Sequence, residues 1–120
     1  MRIISVANQK GGTAKTSTAH ALVTGAAYKR KSSLAIDFDP QGNSTTGFGI
    51  KKKTLEATSY DVVIGKIRPQ EAIIKTTNKN VWILPSTSKL CDAEPALTNM
   101  EQKNYQLRKA VLQVKNDYDI

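Results

Sequence analysis

A short loop with two lysines and two adjacent glycines carries the clearest chemistry in this sequence. The loop lies between an apolar run and a helix-forming segment, and it reads Lys10-Gly11-Gly12-Thr13-Ala14-Lys15-Thr16. Adjacent glycines let backbone N–H groups approach an anion closely. A helix start adds unpaired donors and the positive end of its dipole. Lysine and threonine at the end of such a loop suit β- and γ-phosphates and Mg²⁺. The loop therefore predicts a nucleotide phosphate site.

The loop departs from the usual phosphate-loop pattern G-x-x-x-x-G-K-[ST] at both of its glycines, where this chain has Gln9 and Ala14. It has instead a deviant form, with Lys10 ahead of the glycine pair. A Cβ at position 14 crowds the loop or strains its backbone, so we expect weakened but not abolished nucleotide binding. The expected nucleotide-binding residues are Gly11, Gly12, Thr13, Ala14, Lys15, Thr16 and Ser17, the last reaching the α-phosphate.

Two carboxylates, Asp37 and Asp39, follow the second apolar run of the chain. In α/β folds, ligands bind beyond the carboxyl ends of the strands, and these positions collect catalytic groups. The alternative is purely structural, because Asp-x-Asp-Pro is also a reasonable turn sequence.

The two motifs together make the chain resemble the ParA/Soj/MinD group of deviant Walker-A ATPases. The segment Asp39-Pro40-Gln41-Gly42-Asn43 narrows the resemblance to the ParA/Soj branch of plasmid and chromosome partition proteins. Shorter matches extend it along the chain, at residues 45–49, 61–65, 84–86 and 118–119. The resemblance implies an ATP- and Mg²⁺-dependent homodimer that hydrolyses ATP. Its implied partners are a ParB-like centromere-binding protein and non-specific DNA, and most of the DNA-binding surface would lie outside this chain. The implied location is the bacterial cytoplasm, in association with the nucleoid.

The resemblance also implies roles for individual side chains. Lys10 would reach across the dimer to the partner's phosphates and act there as an arginine finger does. Asp39 would position the attacking water, Thr16 would ligate Mg²⁺, and Asp37 would lie near the Mg²⁺ shell. For Lys10 the alternative is a solvated loop lysine.

Composition limits the other classes of function. The net charge of +8 invites a nucleic-acid partner, but its densest clusters, Lys29–Lys31 and Lys51–Lys53, fit solvated loops better. The single cysteine, Cys91, cannot form an internal disulfide, which suits a reducing cytoplasm. One cysteine also cannot ligate an iron–sulfur cluster of the nitrogenase iron-protein kind. Neither Cys91 nor the only histidine, His20, has partners at metal-ligand spacing. Because no apolar run approaches about 18 residues, we expect no membrane span.

The elements that position these residues predict an α/β fold, a P-loop NTPase-like parallel sheet flanked by helices. We expect the N-terminal portion of one ParA-like domain over residues 1–120, an incomplete fold, because three strands are too few for such a sheet. The predicted strands cover residues 2–7, 33–38 and 81–84, with a loop over 40–53. The predicted helices cover residues 16–29, 59–64, 69–74 and 105–115, with another beginning near Pro95.

Two other functions remain open at this stage. One is a MinD-like membrane-associated ATPase, which the segment Pro40 to Asn43 disfavours. The other is a nucleotide-binding module without catalysis, which Ala14 and the incomplete sheet favour. We therefore expect this chain by itself to show weak or no ATPase activity.

Overall fold

Helix α1, Lys15–Tyr28, begins directly after the glycine-containing loop in the computed structural model, which describes residues 1–120. The helix thus begins one residue before the position that the sequence predicts, residue 16. Its apolar side faces the sheet, where Val23 is buried in a cluster with Phe48, Val81 and Ile83. This packing fixes the start of α1, and therefore the loop before it, relative to the strands.

A three-stranded sheet forms the centre of the fold. Its strands are β1 (Ser33–Ile36), β2 (Ile74–Lys75) and β3 (Val81–Leu84), in the order β1-β3-β2. Strand β3 runs parallel to β1, with Ser33 opposite Val81, and antiparallel to β2. The α/β class is confirmed, but the sheet is mixed instead of wholly parallel.

The segment Arg2–Ala7, predicted as the first buried strand, is not a strand of this sheet. The segment makes one backbone–backbone hydrogen bond, from the Arg2 N–H to the Asp119 carbonyl at 2.7 Å. Without a paired neighbour along its length, the segment leaves Ile3 65% and Ile4 45% exposed. Apolar sequence alone does not make a strand, because the backbone needs a partner for its ladder bonds.

Two other predictions differ from the structure. The predicted helix over 69–74 ends at Ala72 as α4 (Pro69–Ala72), and Ile74 enters the sheet. Ile74 pairs with Ile83, so contact with β3 overrides the helical pattern. The predicted loop over 40–53 contains a short helix, α2 (Asn43–Gly47), and a 3₁₀ turn at 52–54.

The remaining helices agree with the sequence expectations to within a few residues. They are α3 (Ser59–Val63), α5 (Ala93–Leu97) and α6 (Gln106–Val114). Helix α3 is capped by the buried Asp61, whose carboxylate accepts hydrogen bonds from the Thr58 N–H and hydroxyl. No helix in the structure combines the length and the apolar character that a membrane span requires.

Candidate functional site

The phosphate-type loop turns through two left-handed residues immediately before α1. Gly12 has a φ of +70°, and Ala14, the residue before the helix, has φ 59° and ψ 24°. This conformation costs an L-residue with a Cβ about 1–2 kcal/mol. The expectation that the Cβ of Ala14 strains the loop is therefore confirmed for the backbone.

The loop's own hydrogen bonds gather at the carbonyl of Lys10. This oxygen accepts from the Lys15 ammonium and from the Thr13 hydroxyl, each at 3.1 Å. The Lys10 N–H donates to Asn8 Oδ1 at 3.0 Å. The Lys15 charge is thereby held over the loop, while the Lys10 residue itself is exposed.

A cleft of about 400 Å³ brings the predicted phosphate-binding and carboxylate residues together. Lys15 and Thr16, from the start of α1, line it together with Asp37 and Asp39, which follow β1. The carboxyl end of β1 and the start of α1 lie at the same edge of the sheet. This explains why residues about 20 positions apart in the sequence line one cleft. The other predicted nucleotide-binding residues are exposed outside the cleft lining: Gly11, Gly12, Thr13, Ala14 and Ser17.

The cleft lining includes oxygen groups of the chemical type that Mg²⁺ prefers. Thr16 supplies a hydroxyl, and Asp37 and Asp39 supply carboxylates. Magnesium prefers hard oxygen ligands and is usually held by one or two carboxylates together with substrate phosphates. Thr16 and Asp39 are half-buried, whereas Asp37 is only 4% exposed.

The two carboxylates have different surroundings. Asp37 Oδ2 accepts from the N–H and the hydroxyl of Thr45, at 2.8 and 2.7 Å. Its Oδ1 faces the Asp39 N–H at 3.3 Å. The Asp39 carboxylate accepts only the Gln41 N–H within the chain, at 2.9 Å. Asp37 thus holds the loop that follows it, and Asp39 faces the cleft with acceptor capacity to spare.

Sequence reasoning missed two residues of this site, Thr45 and Ser86. Both are fully buried, and the Ser86 N–H donates to Thr45 Oγ1 at 2.9 Å. The Ser86 hydroxyl donates to the Asp39 carbonyl at 2.8 Å. The available signal was the position of Ser86 just past β3, at the same sheet edge as Asp37.

The residues given structural roles from sequence behave in different ways. His20 stacks on Phe48, with ring centroids 3.9 Å apart, so it packs α1 against the residue that follows α2. Lys51 and Lys53 are exposed, whereas Lys52 donates to the carbonyl of Gln41. That contact ties the second lysine cluster to the loop after Asp39.

Comparisons with known proteins agree with this geometry. A family model described as an AAA domain matches residues 1–120. The chain is 38% identical over 118 residues to the sporulation initiation inhibitor protein Soj of Bacillus subtilis, covering 98% of this chain and 47% of Soj. It is 36% identical over 118 residues to the chromosome partitioning protein ParA of Myxococcus xanthus, covering 98% of this chain and 42% of ParA.

A solved structure extends the comparison to the fold. Cobyrinic acid a,c-diamide synthase from Mycobacterium smegmatis, with bound ADP and magnesium, superposes with a TM-score of 0.91 and 31% identity. The match covers 94% of this chain and 46% of the synthase. The chain thus spans about half the length of the relatives it matches. It belongs to the AAA-domain family, within the ParA/Soj group, and corresponds to the N-terminal part of its members.

Proposed function

We propose that this chain binds ATP with Mg²⁺ in the cleft between α1 and the end of β1. One observation carries the proposal: Lys15 and Thr16 line the same cleft as Asp37 and Asp39. A cation, a hydroxyl and two carboxylates at the edge of a sheet form the set that phosphoryl transfer requires, because that reaction depends on positioning and on charge stabilisation.

Each side chain then has a role in the proposed reaction. Lys15 leaves the Lys10 carbonyl and clamps the phosphates, while the backbone N–H groups of the loop bind their oxygens. Thr16 would hold Mg²⁺, and Asp37 would lie near it without ligating it directly. When bound, Mg²⁺ neutralises negative charge on the phosphates. Asp39 orients the attacking water with the carboxylate oxygen that it does not use on Gln41.

We further propose that the complete protein is a partition ATPase that forms an ATP-dependent dimer. The support is the sequence similarity to Soj and ParA, together with the exposed position of Lys10. A side chain at the loop surface is free to reach a nucleotide on a second subunit. Non-specific DNA and a ParB-like protein are the partners that this proposal implies, with localisation at the nucleoid in the cytoplasm.

The nucleotide and the partition role have separate support. The M. smegmatis synthase, whose name describes a different activity, has been solved with ADP and magnesium and with an ATP analogue. The similarity to this synthase therefore supports nucleotide binding by the present chain without supporting a particular reaction. The partition role depends on the narrower sequence match and on the segment from Asp39 to Asn43.

A second candidate function is nucleotide binding without catalysis. Two observations favour it: the left-handed Ala14, and the Asp39 carboxylate engaged with its own loop. In a protein with the full length of the relatives, ATP turnover at saturating Mg²⁺ would eliminate this alternative, whereas tight binding without turnover would support it.

The proposed nucleotide site is tested by calorimetry with Mg²⁺-ATP and Mg²⁺-ADP. We expect Lys15→Ala to weaken binding by about tenfold or more, because charge-assisted contacts to the phosphates are lost. Lys29→Ala removes a lysine at the opposite end of α1 and is the matched control, with affinity expected to be unchanged. Equal affinity of wild type and Lys15→Ala would rule out the phosphate-loop assignment.

A further inference from the structure

A continuous set of buried hydrogen bonds joins the ends of β1 and β3 to the loop that carries Asp39. Asp37, at the end of β1, accepts two hydrogen bonds from Thr45. The same Thr45 hydroxyl accepts the N–H of Ser86, just past β3. Thr45 and Ser86 are 0% exposed and Asp37 is 4% exposed, so water does not compete for these bonds.

The set closes on the backbone of Asp39. The Ser86 hydroxyl donates to the Asp39 carbonyl, and the Asp39 N–H faces Asp37 Oδ1. Both peptide groups of Asp39 are therefore held by side chains from two different strand ends. The carboxylate, which extends from this fixed backbone, accepts the Gln41 N–H and lines the cleft.

The loop approaches Ser86 so closely that only glycine fits at position 42. Gly42 has a φ of +59°, and a Cβ built there would lie 2.6 Å from the Ser86 carbonyl oxygen. The N–H of Gly42 also donates to the Asp39 carbonyl at 2.9 Å. The Asp39 carbonyl thus has two donors, one from the loop and one from Ser86.

We propose that Thr45 and Ser86 are positioning residues that aim the Asp39 carboxylate into the cleft, and that Asp37 acts mainly as the anchor of this set. Asp37 has about four acceptor positions, and three are taken by Thr45 and the Asp39 N–H. The Thr45 hydroxyl is needed at its position, because it donates to Asp37 while accepting from Ser86. The catalytic meaning of this arrangement rests on the proposed ATPase function.

The exchange rate of the Gln41 amide hydrogen measures the position of the Asp39 carboxylate. Gln41 is exposed, and its N–H donates to Asp39 Oδ1, so its protection depends on that carboxylate. We expect Ser86→Ala and Thr45→Val to accelerate Gln41 exchange by about tenfold, the effect of losing one hydrogen bond. Thr45→Ser keeps the hydroxyl and is expected to restore the wild-type rate.

Two controls separate positioning from general destabilisation. Thr77→Val makes the same substitution at an exposed threonine between β2 and β3 whose hydroxyl makes no hydrogen bond within the chain, and it is expected to leave Gln41 exchange unchanged. The Ile64 amide, bonded to the Tyr60 carbonyl in α3, reports on the rest of the fold. Equal acceleration of Gln41 and Ile64 in Ser86→Ala, or unchanged Gln41 exchange in both Ser86→Ala and Thr45→Val, would overturn the proposal.

Calorimetry of the same variants keeps this proposal distinct from the proposed function. We expect Ser86→Ala to bind Mg²⁺-ADP within about twofold of wild type, because the phosphate loop is untouched; a larger loss would contradict a role confined to Asp39. If wild type binds no nucleotide, the proposed function fails while the exchange result still decides whether Thr45 and Ser86 position Asp39. Where turnover is measurable, Ser86→Ala lowers kcat and leaves the ATP affinity in place.

Discussion

Ala14 shows how one methyl group limits the phosphate loop. Its left-handed conformation is the one that glycine adopts without steric cost, and a phosphate loop of the usual pattern has glycine at this position. The chain retains the turn despite the Cβ, and the Thr13 hydroxyl and the Lys15 ammonium brace the loop by donating to the Lys10 carbonyl. The loop therefore keeps its shape at some cost in stability.

We predict that Ala14→Gly stabilises the chain by up to about 1 kcal/mol and binds Mg²⁺-ADP several-fold more tightly. The left-handed strain disappears, although the greater freedom of glycine in the unfolded chain offsets part of the gain. Urea unfolding and calorimetry measure the two effects. Ala21→Gly, at an exposed position within α1, is the control, and it should be destabilised. Unchanged or weaker nucleotide binding by Ala14→Gly would show that Ala14 does not impair the loop.

We predict that alanine variants of Lys10 and Asp39 lose different steps of the ATPase cycle in a protein that has the full length of its relatives. Asp39→Ala binds ATP and dimerises but hydrolyses ATP slowly, because only the orientation of water is lost. Lys10→Ala binds ATP but fails to dimerise, since its target is the nucleotide of the other subunit. Sedimentation with ATP separates them, and equal dimerisation of both variants would exclude a role for Lys10 across the dimer.

Local patterns in the sequence predicted the elements that carry the site, and failed where tertiary contacts decide the structure. Helix α1, strands β1 and β3, and the meeting of Lys15 with Asp39 follow from apolar periodicity and from the edge rule for α/β sheets. Helix α2 could not be predicted in this way, because its sequence, Asn-Ser-Thr-Thr-Gly, is poor in helix formers. The N–H of Thr45, inside α2, is instead satisfied by Asp37, eight residues earlier.

The carboxyl-terminal residues are attached to the start of β1 by a clamp between Asp119 and Ser32. The Asp119 carboxylate accepts the Ser32 N–H at 2.8 Å and the Ser32 hydroxyl at 3.0 Å. These two hydrogen bonds hold the pKa of Asp119 below its usual value. The adjacent Ile120 carbonyl accepts the N–H of Leu34, so the clamp fixes the terminal residues beside β1.

We predict that this attachment weakens in acid. Since the folded-state pKa of Asp119 is lowered, its contribution is complete above the pKa of the unfolded chain, about 4, and is lost as pH falls through the folded value. Trp82, which lies edge-on to Tyr118 at 5.4 Å, reports the change by fluorescence. Asp119→Asn should remove the acid transition and Asp117→Asn should keep it. A transition that persists in Asp119→Asn would assign it to another group.

Apolar side chains line a groove between the Arg2–Ala7 segment and β1. Ile3, Ile4 and Leu22 are exposed by 65%, 45% and 39%. They line a cavity of about 160 Å³ together with Leu34 and Ile36. The core itself is divided into three small clusters, of four, four and three buried residues. Exposed apolar surface with unpaired backbone beside it favours association between chains.

We therefore predict that the 120-residue chain melts with low cooperativity, binds a hydrophobic dye, self-associates and turns over little or no ATP. Ile3→Ser should reduce dye binding and self-association, because Ile3 contributes exposed surface at the groove. Tyr28→Ser removes an aromatic ring that is 91% exposed at the end of α1, outside the groove, and should change neither. Dye fluorescence, sedimentation velocity and calorimetric melting measure these effects. A monodisperse chain that melts cooperatively and hydrolyses ATP would contradict the prediction, because three short strands and their helices would then suffice for a working site.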